Sequence, residues 1–152
     1  MSDVVDVATR SRMMSGIRGT DTKLELLIRR GIHACGYRFR LYDKRLPGKP
    51  DLVFPKYQAV IFIHGCFWHT HDCFLFRWPA SRTAFWTQKL IANRQRDEQN
   101  KDALLSMGWR VMTVWECILR KPGINRDQAL NKVLHTIDRW ICSKRQTAEL
   151  RG

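Results

Sequence analysis

The sequence predicts an α/β protein, with one mixed sheet flanked by helices. Apolar residues recur at helical spacing near residues 22–35 and 126–141, and Phe85 to about Met107 reads as a long helix with a strongly charged outer face. Between them lie short runs of branched and aromatic residues, long enough for strands and too short for helices. Glycine and proline mark the junctions, among them Gly36, Gly65, Gly108 and Pro122-Gly123. The chain has 152 residues, 44% of them hydrophobic, so it can bury one core of its own and is not a disordered polar chain.

Residues 1–20 carry Arg10, Arg12 and Arg18 among small and polar residues, with Met13-Met14 embedded. They read as a basic arm that orders on a nucleic acid, or as a frayed terminus without a role. A helix begins at Asp21 or Thr22, with Leu24, Leu27, Ile28, Ile32 and Cys35 as its buried stripe and Gly36 as its stop. Thr22-Lys-Leu-Glu25 has the form of a capping box, which would give Glu25 a local role. Glu25 also sits at the edge of the apolar stripe, where it could face a strand. Tyr37 to Tyr42 alternates like a half-buried strand with Arg38 and Arg40 outward. Residues 51–54 and 59–63 then pair antiparallel across a turn, which brings Asp51 close to His64.

Residues 79–83 form a loop and cap before a long helix, Phe85 to Met107, whose outer face is charged and includes Arg94, Asp97 and Lys101. Trp109 to Trp115 is a buried strand leading to Glu116-Cys117. The last helix, 126–141, has Ala129, Leu130, Val133, Ile137 and Trp140 as its core face. The expected organisation is an arm over 1–20, one domain over 21–142 and a disordered tail over 143–152.

The formal net charge of +13 makes a polyanion the natural partner, because each phosphate neutralised by Lys or Arg releases condensed counterions. No apolar run approaches the roughly 18 residues of a membrane span, and the N-terminus lacks a signal-peptide core, so a cytoplasmic location is expected. Five cysteines in a reducing compartment point to metal ligation or free thiols. Cys66, His71 and Cys73 have the spacing C-x4-H-x-C, and Cys117, at the end of another strand, is the best fourth ligand for tetrahedral zinc. The alternative is buried thiols beside solvent histidines. Cys35 and Cys142, on apolar helix faces, are expected in the core.

A second chemistry lies beside the first. Asp51 is either a turn carboxylate or a hard ligand suited to Mg²⁺, and His64 or His69 could take a proton from an attacking water. Together they suit phosphodiester hydrolysis. Phe67 and Trp68, adjacent in a short loop, and Trp86, at the start of a helix, either pack over that loop or act as apolar wedges in a duplex.

These residues carry a resemblance. Ala8-Thr-Arg-Ser11, Leu46-Pro-Gly-Lys-Pro-Asp51, Phe62-Ile-His-Gly-Cys-Phe-Trp-His69, His71-Asp-Cys73, Arg82-Thr-Ala-Phe-Trp86, Gly108-Trp-Arg-Val111 and Val114-Trp-Glu-Cys117 closely resemble the very-short-patch-repair (Vsr) DNA mismatch endonucleases. The resemblance implies the restriction-endonuclease-like fold and a monomeric enzyme that nicks the strand 5′ to the thymine of a T:G mismatch left by 5-methylcytosine deamination. Downstream repair proteins would then act on the nick. It implies Mg²⁺ held by Asp51 and the main-chain carbonyl of Ile63, His69 as general base, and Glu25 and His64 supporting the water and metal shell. It further implies structural Zn²⁺ on Cys66, His71, Cys73 and Cys117. Phe67, Trp68 and Trp86 would enter beside the mismatch from the major groove and Met14 from the minor groove. Two departures stand out. The wider nuclease superfamily carries D/E-x-K where this strand reads Phe62-Ile63-His64, and position 63 is Ile where the family's Thr is expected. A site-specific nuclease of the same fold and a zinc-stabilised DNA-binding protein that does not cut are the rival readings.

Overall fold

The structure, a computed structural model, describes residues 22–152. The expected arm over 1–20, and Met14 with it, lies outside the described residues. Helix α1 is Lys23–Ala34, and Thr22 caps it, its side chain accepting from the Glu25 N–H at 3.3 Å. A cap of this kind is worth about 1 kcal/mol. Strands β1 (Arg40–Leu41), β2 (Leu52–Phe54) and β3 (Ala59–His64) follow, then helix α2 (Thr83–Ser106), β4 (Arg110–Trp115), helix α3 (Arg126–Ile141) and β5 (Thr147–Leu150). The five strands form one sheet in chain order. β1, β2 and β3 pair antiparallel, whereas β3 with β4 and β4 with β5 pair parallel.

Strand alternation sorts the core into two layers. Leu52, Phe54, Ala59, Ile61, Ile63, Met112 and Val114 pack against Ile28 and Ile32 of α1 and Val133, Ile137 and Trp140 of α3. Val53, Val60, Phe62 and Val111 face the other way, onto Leu104 of α2. Ile28 and Ile32 are fully buried, and each stabilises the layer by about 2 kcal/mol. By the same alternation His64 and Trp115, paired in register at the ends of β3 and β4, lie on the α2 side. The mixed sheet flanked by helices is the expected one.

Four local expectations are corrected. The tail from Ser143 is ordered: the Val111 N–H bonds the Gln146 carbonyl at 2.8 Å, and Thr147–Leu150 continues along the edge of β4. The ladder, rather than the tail's own composition, supplies the order. Cys35 and Cys142 are exposed, because each is the C-terminal capping residue where the chain leaves its helix. The segment 37–42 gives a strand of only two residues, both exposed, since Tyr42 has a left-handed backbone that ends it. Tyr37 packs into the core instead. Helix α2 starts without a side-chain cap, at Arg82 in a left-handed conformation. No helix of the described residues is long and apolar enough to cross a membrane.

Candidate active site and metal centre

At the C-terminal ends of β3 and β4 a cleft of about 460 Å³ is lined by Glu25, Asp51, His64 and His69, with Lys49, Arg94, Lys101 and Arg151 also on its walls. The β2–β3 register pairs Leu52 with Ile61, so the residue before Leu52 stands beside the end of β3. There Asp51 Oδ2 accepts from the Ile63 N–H at 2.7 Å. Burial pushes the Asp51 carboxyl up from 3.8 to about 7, opposed by the Ile63 N–H and reinforced by the charge of Glu25. Glu25 is itself buried, and it accepts a hydrogen bond from the Tyr42 hydroxyl. Two confined carboxylates that repel each other favour a bound cation, which offsets both charges.

His64 and His69 are stacked, with ring centroids 3.7 Å apart and planes within 5°. Burial holds His64 well below the ordinary imidazole range, and His69 and His71 add to the effect, so its ring is neutral. His64 Nδ1 is buried with no hydrogen-bond partner among the described residues. His69 Nδ1 bonds a carboxylate oxygen of Asp97 on α2. That contact fixes the ring and leaves Nε2 as its other polar atom, the arrangement of a histidine that accepts a proton while a carboxylate steadies the cation formed.

The loop after β3 carries the second cluster. The His71 N–H bonds the Cys66 carbonyl at 2.9 Å, closing a turn around Thr70, whose backbone is left-handed. One ligand atom from each of Cys66, His71, Cys73 and Cys117 lies within 4.8 Å of the others. His71 Nδ1 stands 3.6 Å from Cys117 Sγ. Metal–sulfur and metal–nitrogen bonds of about 2.3 and 2.05 Å at a tetrahedral angle require a separation of about 3.6 Å. Burial pushes the thiols of Cys66 and Cys117 up, Cys73 reinforces the rise in both while backbone N–H groups oppose it, and a divalent ion reverses that shift. The donor set therefore fits a tetrahedral soft-metal site, and the expected Cys117 is part of it.

Beyond this loop the aromatic residues converge. Phe67 and Trp68 meet edge-on at 5.1 Å, and Trp86 of α2 stands 5.5 Å from Phe67 and 5.9 Å from Trp68. All three are half-buried. The Lys89 ammonium lies 5.5 Å over the Trp68 ring and 5.8 Å over Trp86.

Comparison with known proteins gives the context for this geometry. The family model described as DNA mismatch endonuclease Vsr matches residues 2–75. The DNA mismatch endonuclease Vsr of Escherichia coli (strain K12) is 44% identical over 150 residues, which is 99% of this chain and 94% of that protein. The chain belongs to the Vsr family of DNA mismatch endonucleases. A type II nicking enzyme of Xanthomonas oryzae pv. oryzae, V.XorIIP, is 45% identical over 81% of this chain and 90% of its own length. Another, V.NmeAIP of Neisseria meningitidis serogroup A, is 42% identical over 90% of this chain and 97% of its own length. As a Vsr-family endonuclease the chain hydrolyses DNA.

The structure thus gathers Glu25, Asp51, Ile63, His64 and His69 on one cleft, and Cys66, His71, Cys73 and Cys117 in one cluster. Sequence reasoning missed four contributors. Asp97 was placed on the outer face of α2, yet it stands seven residues after Leu90 and seven before Leu104, both fully buried. Two helical turns return a side chain to nearly the same face, so that spacing was a usable signal. Tyr42 reaches Glu25 across the fold, and nothing local marks it. Glu149 and Arg151 line the cleft from the segment expected to be disordered.

Proposed function

We propose that this Vsr-family chain nicks duplex DNA on the strand 5′ to the thymine of a T:G mismatch, of the kind left by 5-methylcytosine deamination, and so opens very short patch repair. The observation that carries the reading is the meeting, on one cleft, of a paired-carboxylate site with a carboxylate-held histidine, next to a cluster of half-buried aromatic rings. We assign the restriction-endonuclease-like fold, catalytic Mg²⁺ at Asp51 with the Ile63 carbonyl, and structural Zn²⁺ at Cys66, His71, Cys73 and Cys117. Mg²⁺ held there would supply positive charge where the phosphate oxygens and the leaving oxygen become more negative.

The chain's own residues do the rest. His69 takes the proton of the attacking water at Nε2, and Asp97 holds the ring in the tautomer that leaves this nitrogen free. His64, neutral and stacked on His69, excludes solvent from one face of that ring and offers a nitrogen to the ordered water shell. Glu25 steadies that shell and is held by Tyr42. Lys49, Arg94 and Lys101 on the cleft wall attract the DNA backbone, whose neutralisation dominates affinity. Phe67, Trp68 and Trp86 enter beside the mismatch, and the arm around Met14 approaches from the other groove. An isoleucine at 63 still provides a backbone carbonyl. One cleft cuts one strand, so a monomer suffices.

The test is a strand-resolved nicking assay with Mg²⁺ on a duplex carrying one T:G pair in CT(A/T)GG, beside its T:A control. A nick confined to the thymine strand of the mismatch is expected. Cutting of both strands of the matched duplex would instead assign a site-specific nuclease, and binding without cutting would remove the hydrolytic reading.

A further inference from the structure

The segment that sequence reasoning left disordered reaches the metal cluster at three points. Arg151 donates to the Asp72 carbonyl at 2.6 Å, and the Gly152 N–H approaches Cys117 Sγ at 3.2 Å. The third point is Glu149. Its Oε1 accepts from the Trp115 indole N–H at 2.6 Å and lies 3.8 Å from His71 Nε2.

Three features of the cluster give this contact a meaning. His71 offers Nδ1 toward Cys117, so Nε2 is the nitrogen left over. A metal-bound imidazole carries its proton on that other nitrogen and needs an acceptor for it, which fixes the tautomer and strengthens the ligand. His71 is buried, and its Nε2 has no hydrogen-bond partner among the described residues. The Trp115 indole, meanwhile, lies flat on His71, with centroids 3.9 Å apart and planes within 4°. The separation of 3.8 Å is longer than a hydrogen bond, so the carboxylate must shift toward His71 for the contact to form.

We infer that Glu149 is the positioning carboxylate of the zinc centre, orienting the ligand His71 and clamping the Trp115 indole that walls the metal cluster off from the catalytic histidines. The Trp115 edge also meets His64 at 5.2 Å and His69 at 6.2 Å, so the clamp acts on both centres. Strand β5 is thereby part of the metal site, although it contributes no ligand. The inference rests on the zinc reading above, and the experiment separates the two.

Zinc content of the purified full chain is measured by mass spectrometry, and zinc affinity by competition with a chromogenic chelator, for wild type, Glu149→Ala, Glu149→Gln and Thr147→Ala. Zinc affinity should fall about tenfold in Glu149→Ala, the lower end for partners of this kind because the side chain is half exposed. Glu149→Gln keeps an acceptor for the indole but loses the charge, so its affinity should fall in between and the Trp115 indole proton resonance should stay in place. In Glu149→Ala that resonance should move. Thr147→Ala, an exposed residue of the same strand, controls for undocking of β5 and should match wild type. Unchanged zinc affinity in Glu149→Ala, or an equal loss in Thr147→Ala, overturns the inference while zinc in the wild type upholds the metal reading. A wild type that carries no zinc overturns both.

Discussion

Asp51→Asn removes one negative charge from the cleft and little else. The amide oxygen can still accept the Ile63 N–H that Asp51 accepts at 2.7 Å. In the wild type, burial lifts this carboxyl from 3.8 to about 7, against the pull of the Ile63 N–H and with the push of Glu25. The folded value lies above the unfolded one, so folding takes up a proton. The contribution of this group to stability is then fully present below about pH 4 and is lost as pH rises through 7. The linkage relation gives a loss of about 2.5 kcal/mol between pH 5 and pH 8, or roughly 5–10 °C in melting temperature for a chain of this size. Urea unfolding without added divalent cation, at both pH values, measures it. The wild type should lose about 2.5 kcal/mol more than Asp51→Asn over that interval, because the variant has no such charge to confine. Mg²⁺ added at pH 8 should restore stability to the wild type and leave the variant unchanged. Parallel pH dependence in the two proteins would refute the argument from burial. An equal response to Mg²⁺ would remove Asp51 as the residue that holds it.

Two further outcomes are expected. His69→Ala should slow nicking by roughly 10²–10⁴-fold with mismatch binding nearly unchanged, and Asp97→Asn should lose a smaller part of that factor; matching losses of rate and binding would end the general-base assignment. Phe67→Ala and Trp68→Ala should each weaken binding to the mismatched duplex by about 1–3 kcal/mol, measured by competition against the T:A control, and unchanged discrimination would show that the rings pack without entering DNA.

What was legible in the sequence followed short-range rules. Asp51 met the end of β3 because two runs of branched residues across a turn have one good antiparallel pairing, and Cys117 joined Cys66, His71 and Cys73 because β3 and β4 end at the same edge. Periodicity, however, does not say where a helix stops relative to its last apolar residue. Cys35 and Cys142 therefore fell one position outside the core that their spacing suggested. Glu149 was illegible for a different reason. Its strand follows a run of Ser, Lys, Arg and Gln and is held by its ladder to β4, about 35 residues earlier in the chain, and a non-local pairing leaves little mark on local composition. Asp97 lay between these cases, hidden among the charges of α2 although its spacing from Leu90 and Leu104 gave it away.

The loop that carries Phe67 and Trp68 is fastened along its length. β3 enters it, the Asn93 side chain bonds the Trp68 carbonyl at 3.2 Å, Thr70 bonds the Leu90 carbonyl at 3.2 Å, and the metal cluster closes its far side. Rings held in this way have little conformational entropy left to surrender on association. If the rings insert as proposed, the work of insertion falls on the duplex, which must unstack a step at a cost set by its own stiffness. A mispaired step yields more cheaply than a paired one, so under that proposal a rigid probe would turn the local softness of DNA into a signal for damage. On this account recognition is a mechanical test of the helix as much as a reading of base edges, and loosening the loop should cost selectivity before it costs affinity.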